Sequence, residues 1–149
     1  MKYLRKLSYL VVFALLPTFF YPLKSKAQAV NTSTQINFIE NSWSQALKQA
    51  AAKNKYIFVD AYASWCGPCK MLKATTFKNN KVAEFYNSNF VNVAIDMEKG
   101  DGPQLAVQWG LRAYPTLIIF DAKGNPVYGT VGFIKADELI KFGVKALNK

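Results

Sequence analysis

The chain has no histidine and only two cysteines in 149 residues. The missing histidine removes His-based triads, haem ligation through an imidazole and most catalytic zinc sites. Two cysteines are too few for a structural zinc site, which takes four Cys or His ligands. Acid is scarce too: nine Asp and Glu stand against 19 Lys and Arg, a net charge of +10. The lysines are scattered all the same. Lys48, Lys53, Lys55, Lys70, Lys73, Lys78 and Lys81 form no basic run of the kind that tracks a nucleic acid. They read as solvated faces, and no nucleic-acid partner is expected. No internal repeat or low-complexity segment occurs.

One long apolar run is present, at the start. Lys2, Arg5 and Lys6 precede Leu7 to Leu16, which Phe19, Phe20 and Tyr21 continue. Small residues around Ala27 and Ala29 follow. This is the layout of a secretory signal peptide, assigned to residues 1–27. The alternative is an uncleaved anchor, although Pro17 and Pro22 interrupt the run and its span of about 17 residues is short for a membrane helix. Cleavage after Ala27 leaves 122 residues, enough for one compact domain, with a net charge of +5. Cleavage after Ala29 is the other option. Export to a bacterial periplasm is expected, and with it an oxidising compartment.

In that compartment the pair Cys66 and Cys69 has a bland reading, a stabilising disulfide. A spacing this short argues against it, because small loops contribute least in the chain-entropy picture. The pair follows an apolar run, Tyr56 to Ala63, and Pro68 suits the first turn of a helix. A strand that delivers Cys-x-x-Cys to a helix start reads as a redox dithiol.

Around it the chain alternates strands and helices. Residues 28–41 read as a lead-in, with a short edge strand expected over 35–39. Ser42 is a plausible N-cap for a helix whose apolar face is Trp43, Ala46, Leu47, Ala50 and Ala51. Strands are expected at 56–62, 90–96, 116–120 and 126–131. A helix from Cys66 breaks or kinks near Thr75 and Thr76 and resumes through Val82, Phe85 and Tyr86. Pro103 opens another helix that Gly110 ends. The last runs from Ala136 to Leu147, with Leu139, Ile140, Val144 and Leu147 inward. This order implies an α/β fold, a mixed sheet with helices on both faces.

Taken together, residues 42–149 resemble a thioredoxin-fold domain. Trp65-Cys66-Gly67-Pro68-Cys69-Lys70 is the thioredoxin active-site string. Asp60 stands where the family carries a buried aspartate, Tyr114-Pro115-Thr116 matches its cis-proline element, and Val131-Gly132 matches the glycine of its substrate groove. Asn54-Lys55, Thr76-Phe77 and Asn89-Phe90-Val91 are similar to exported members, including the C-terminal domain of the bacterial transmembrane thiol–disulfide interchange protein. Two departures stand out. The strand expected at 90–96 has no lysine to sit beside the aspartate, and Tyr62 replaces a usual tryptophan.

The resemblance implies a thiol–disulfide oxidoreductase. Cys66, at the positive end of the helix, is the expected nucleophile, because a helix N-terminus favours the thiolate. Cys66 is also expected to be the exposed member of the pair; Cys69, one turn in, is expected to be less accessible and to be the resolving cysteine. Asp60, on an apolar strand, is expected to have a raised pKa and to exchange the Cys69 proton. Trp65, Gly67, Pro68, Tyr114, Pro115 and Gly132 are expected to bind substrate, with Phe133 completing an apolar rim. Trp43 and Trp109 are expected in the core. No metal and no cofactor beyond the disulfide itself is expected. Gly67-Pro68 resembles the reducing members, so reduction of protein disulfides by a monomer is expected, with a membrane electron-relay protein as donor. A disulfide oxidase or isomerase, and a binding module with an inert dithiol, are the alternatives.

Overall fold

A computed structural model describes residues 34–149; the segment read as a signal peptide and the first part of the lead-in, residues 28–33, lie outside the described residues. The elements follow in the order β1 (Phe38–Glu40), α1 (Trp43–Lys53), β2 (Tyr56–Tyr62), α2 (Gly67–Ala74), a 3-10 turn (Thr76–Lys78), α3 (Asn80–Asn89), β3 (Phe90–Asp96), α4 (Gly102–Gln108), β4 (Thr116–Phe120), β5 (Pro126–Val131) and α5 (Ala136–Leu147). The strands form one sheet in the order β1-β3-β2-β4-β5. β1, β3 and β2 run parallel, whereas β4 is antiparallel to β2 and to β5.

The sheet buries both faces. Strand side chains alternate, so odd and even positions of β2 reach different cores. Ile57, Val59 and Ala61 join Val93, Ile95, Ile118, Ala46, Ala50 and Leu105, beneath α1 and α4. Phe58 joins Leu72, Phe77, Tyr86, Leu117 and Leu139, beneath α2, α3 and α5. Asp60 has the parity of Phe58, which places it on the α2 face.

The break after α2 has a local cause. Thr75 adopts φ −125°, and its hydroxyl donates to the Met71 carbonyl at 2.7 Å. The chain makes one 3-10 turn and restarts at Asn79, whose side chain accepts from the N–H groups of Lys81 (3.1 Å) and Val82 (3.2 Å). That is an N-cap bond pair.

Four expectations are corrected. The first strand is Phe38–Glu40 and not 35–39, because the backbone of Ile36 bonds Phe77 and that of Asn37 bonds the Asn87 side chain. Ser42 precedes α1 but makes no side-chain cap bond. Ala51 of α1 is exposed, outside the strip that packs. In α5, Phe142, Gly143 and Ala146 face inward with Leu139, while Val144 is 42% exposed. The inward stripe is set by its neighbours: Gly143 meets Phe85 and Tyr86 of α3, and Phe142 meets Tyr128 of β5.

Candidate active site

The site is built where β2 ends. Cys66 is the N-cap of α2 with extended backbone (φ −69°, ψ 113°), and Pro68 occupies the first turn. Cys66 Sγ accepts from the Cys69 N–H at 3.2 Å, so the first helical turn is closed around the sulfur. The two cysteines are joined in a disulfide, S–S 2.06 Å, with Cα atoms 5.3 Å apart. Both are buried, Cys66 at 2% and Cys69 at 1% exposure, against Ala63, Tyr62 and Tyr114. The expectation that Cys66 is the exposed member therefore does not hold for this oxidised form. Its sulfur is turned onto Cys69, under the half-buried ring of Tyr114. Gly67 and Pro68 are exposed beside it.

The second half of the site arrives from the residues just before β4 and just after β5. Tyr114-Pro115 is a cis peptide. Gly132 donates its N–H to the Pro115 carbonyl at 2.8 Å, with φ at +95°. A side chain at that φ is strained, which is the physical reason for glycine there. Trp65 is 65% exposed and meets the Tyr114 ring edge-on at 6.4 Å. Trp65, Cys66, Tyr114, Pro115 and Gly132 thus come together from three separate stretches. Phe133 does not join them; it packs on the core beneath α2 and α5. Trp43 and Trp109 pack on each other at 5.1 Å and on Phe120, away from the dithiol.

Asp60 is fully buried, at 0% exposure, and neither carboxyl oxygen has a hydrogen-bond partner among the described residues. Burial pushes its pKa from 3.8 up to about 7, with Lys73 pulling it down and Glu40 pushing it further up. A carboxyl that changes charge near neutral pH suits proton exchange.

Two residues at the site carry no mark in the sequence pattern. Glu98, in the loop after β3, accepts from the Trp65 indole N–H at 2.9 Å. With Asp96, and after partial burial, it also raises the Tyr114 pKa. Lys73, read as solvated, is half-buried, and its Nζ lies 3.4 Å from the centroid of the Tyr62 ring. Its spacing of four from Cys69 puts it on that residue's helix face, but spacing alone does not separate it from a solvated lysine.

The family model for a thioredoxin-like domain matches residues 43–147. The chain belongs to the thioredoxin-like family. It is 35% identical over 95 residues to a thioredoxin of Pyropia yezoensis, covering 63% of this chain and 83% of that one. It is 32% identical over 100 residues to the thiol:disulfide interchange protein DsbD of Pseudoalteromonas atlantica, covering 64% of this chain but 17% of that longer protein. A solved candidate disulphide-isomerase from Bacteroides thetaiotaomicron is 42% identical, with TM-score 0.69 over 78% of this chain and 97% of its own. The fold is the thioredoxin fold, and the thioredoxin-like family is one of thiol–disulfide oxidoreductases. Among the described residues no helix is long and apolar enough to cross a membrane.

Proposed function

We propose that this protein is an exported protein-disulfide reductase that works by dithiol exchange through Cys66 and Cys69. One observation carries the proposal: a Cys66–Cys69 disulfide heads α2, and a buried, unpartnered Asp60 lies on the sheet face which that helix covers. A disulfide that served only as a staple would have no use for a buried carboxyl that titrates near pH 7.

In the reduced protein the Cys66 thiolate attacks one sulfur of a substrate disulfide. A Cys66–substrate bond forms, the substrate S–S bond breaks, and the first substrate thiolate leaves and takes up a proton. Cys69 then passes its proton to the Asp60 carboxylate and attacks Cys66 Sγ. The Cys66–Cys69 bond forms, and the second substrate thiolate departs. The substrate gains two electrons and the dithiol loses two. Trp65, Gly67, Pro68, Tyr114, Pro115 and Gly132 form the binding rim. The Pro115 carbonyl is taken by Gly132, so an extended substrate segment pairs with the backbone of Tyr114. Resetting the dithiol needs a thiol reductant, and in an oxidising compartment a membrane electron-relay protein fills that role. The partial match to DsbD and the apolar N-terminal run support this placement.

The 42% identity to a candidate disulphide-isomerase favours isomerisation as a second reading of the same chemistry. Insulin reduction with dithiothreitol as donor, and equilibration of the dithiol with glutathione, separate the readings. A reductase shows insulin turnover that Cys66→Ser abolishes, and a potential toward the thioredoxin end of the scale, about −270 mV. A potential near the oxidant end, about −120 mV, overturns the reductase reading. Recovery of activity in scrambled ribonuclease, without net reduction, favours the isomerase. No activity in either assay leaves a binding module.

A further inference from the structure

The described residues offer few ways to stabilise a charge on Asp60. Its oxygens accept no hydrogen bond, and its neighbours across the sheet are Ala94 on β3 and Leu117 on β4. Of the charges that act on it, only Lys73 favours the carboxylate; Glu40, from β1, opposes it. The other charged groups near this end of the sheet are differently engaged. Asp96, at the end of β3, is held by Lys99 at 3.1 Å. Lys70 is exposed, one turn earlier on α2.

Lys73 is well placed for the task. It sits four residues after Cys69 on α2, so the two share a helix face. Its ammonium rests over the Tyr62 ring at 3.4 Å, and Tyr62 lies two residues beyond Asp60, on the same side of β2. Lys73 and Glu40, the two charges of opposite effect, line one open cavity of about 600 Å³ with Lys70, Phe38 and Phe77. That cavity runs along the flank of α2, and Asp60 itself does not line it.

We propose that Lys73 is a positioning residue for the resolving step: held over Tyr62 one turn beyond Cys69, it stabilises the ionised form of Asp60 and so sets the pH range in which Asp60 takes the Cys69 proton. The proposal rests on the reading of Asp60 as the acceptor of that proton. A lysine from the helix here supplies the cation that β3 lacks, since β3 carries no lysine. Proton and electrons balance as in the exchange above; Lys73 neither gives nor takes a proton and acts only through charge.

The test has two arms. In the first, the Asp60 carboxyl is titrated by carbon NMR in the oxidised protein, as wild type, Lys73→Met, Lys73→Arg and Glu40→Gln, with near-UV circular dichroism to check packing. An opposite charge nearby lowers a carboxyl by about one pH unit or more. Lys73→Met is therefore expected to raise the Asp60 midpoint by about one unit, Lys73→Arg to leave it in place, and Glu40→Gln to lower it. In the second arm, the reduced proteins react once with a peptide disulfide and the release of the second thiol is followed against pH. Lys73→Met is expected to slow release about fivefold at pH 7, the loss in carboxylate fraction when a midpoint moves from 7 to 8, and Lys73→Arg to restore it. An unmoved Asp60 midpoint in Lys73→Met overturns the proposal. So does a release profile that stays put while the midpoint moves. The titration is read on the oxidised protein whether or not insulin is reduced, so failure of the reductase reading is distinguishable from failure of the Lys73 coupling.

Discussion

Asp60→Asn should flatten the pH dependence of stability in the oxidised protein. The wild-type carboxyl moves from 3.8 to about 7 on folding because burial disfavours its charge. At 1.36 kcal/mol per pH unit, ionising it is about 4 kcal/mol harder in the fold than in the unfolded chain. The sign follows from linkage. The folded value is the higher one, so the group's contribution is fully present below pH 3.8 and is lost as pH rises through about 7. About 2.5 kcal/mol of that loss falls between pH 5 and pH 8. The window is unusually clean, because the chain has no histidine to titrate within it and the cysteines are paired. Asparagine brings its own desolvation cost, about 1–3 kcal/mol if unpaired, but that offset is the same at every pH. Urea denaturation followed by circular dichroism at pH 5, 6, 7 and 8 gives the two profiles. Wild type should lose about 2.5 kcal/mol relative to Asp60→Asn across the series, a sizeable part of a small domain's stability. Parallel profiles would refute the reasoning and return Asp60 to the ordinary carboxylate range.

Two further predictions concern the scaffold that holds the site. Asn79→Ala removes both cap bonds of α3 and should cost about 1 kcal/mol in urea denaturation, with Asn79→Asp largely retaining stability. Gly143→Ala puts a methyl 2.6 Å from Phe85 Cε1 and 3.0 Å from the Tyr86 hydroxyl, which is itself bonded to the Leu139 carbonyl. The helix gains up to ~1 kcal/mol from alanine, but overpacking costs about 1–3 kcal/mol, so a net loss is expected. A variant at least as stable as wild type would show that Phe85 swings away freely.

Asp60 and Lys73 show how far reading along the chain reaches. Asp60 was legible because it interrupts an apolar strand six residues before Cys66, a position that the family resemblance marks. Lys73 was not. It is one of many lysines, and in sequence nothing separates one in solvent from one held over an aromatic ring. Glu98 was hidden for a related reason. It lies in a polar loop, 33 residues from the Trp65 indole that it accepts from. The burial of Cys66 was missed because helix-start logic says which cysteine is nearer the dipole, not how the closed disulfide packs beneath Tyr114.

By itself the chain determined what depends on near neighbours. Period-two and period-3.6 patterns marked the strands and helices, and Thr75-Thr76 marked the break after α2. Pro68 set the start of α2, and Cys-Gly-Pro-Cys set a small ring of sulfur chemistry at that start. Such features need only a few consecutive residues, so they survive without a fold. Only the tertiary structure decided the rest. Packing α2 over β2 buried Asp60 and brought one lysine to bear on it. The parallel return of β3 carried Glu98 to Trp65, and the junction of β4 with the end of β5 placed Pro115 against Gly132. Charge and desolvation act through space, so the ionisation of Asp60 is a property of the folded arrangement and not of its place in the chain.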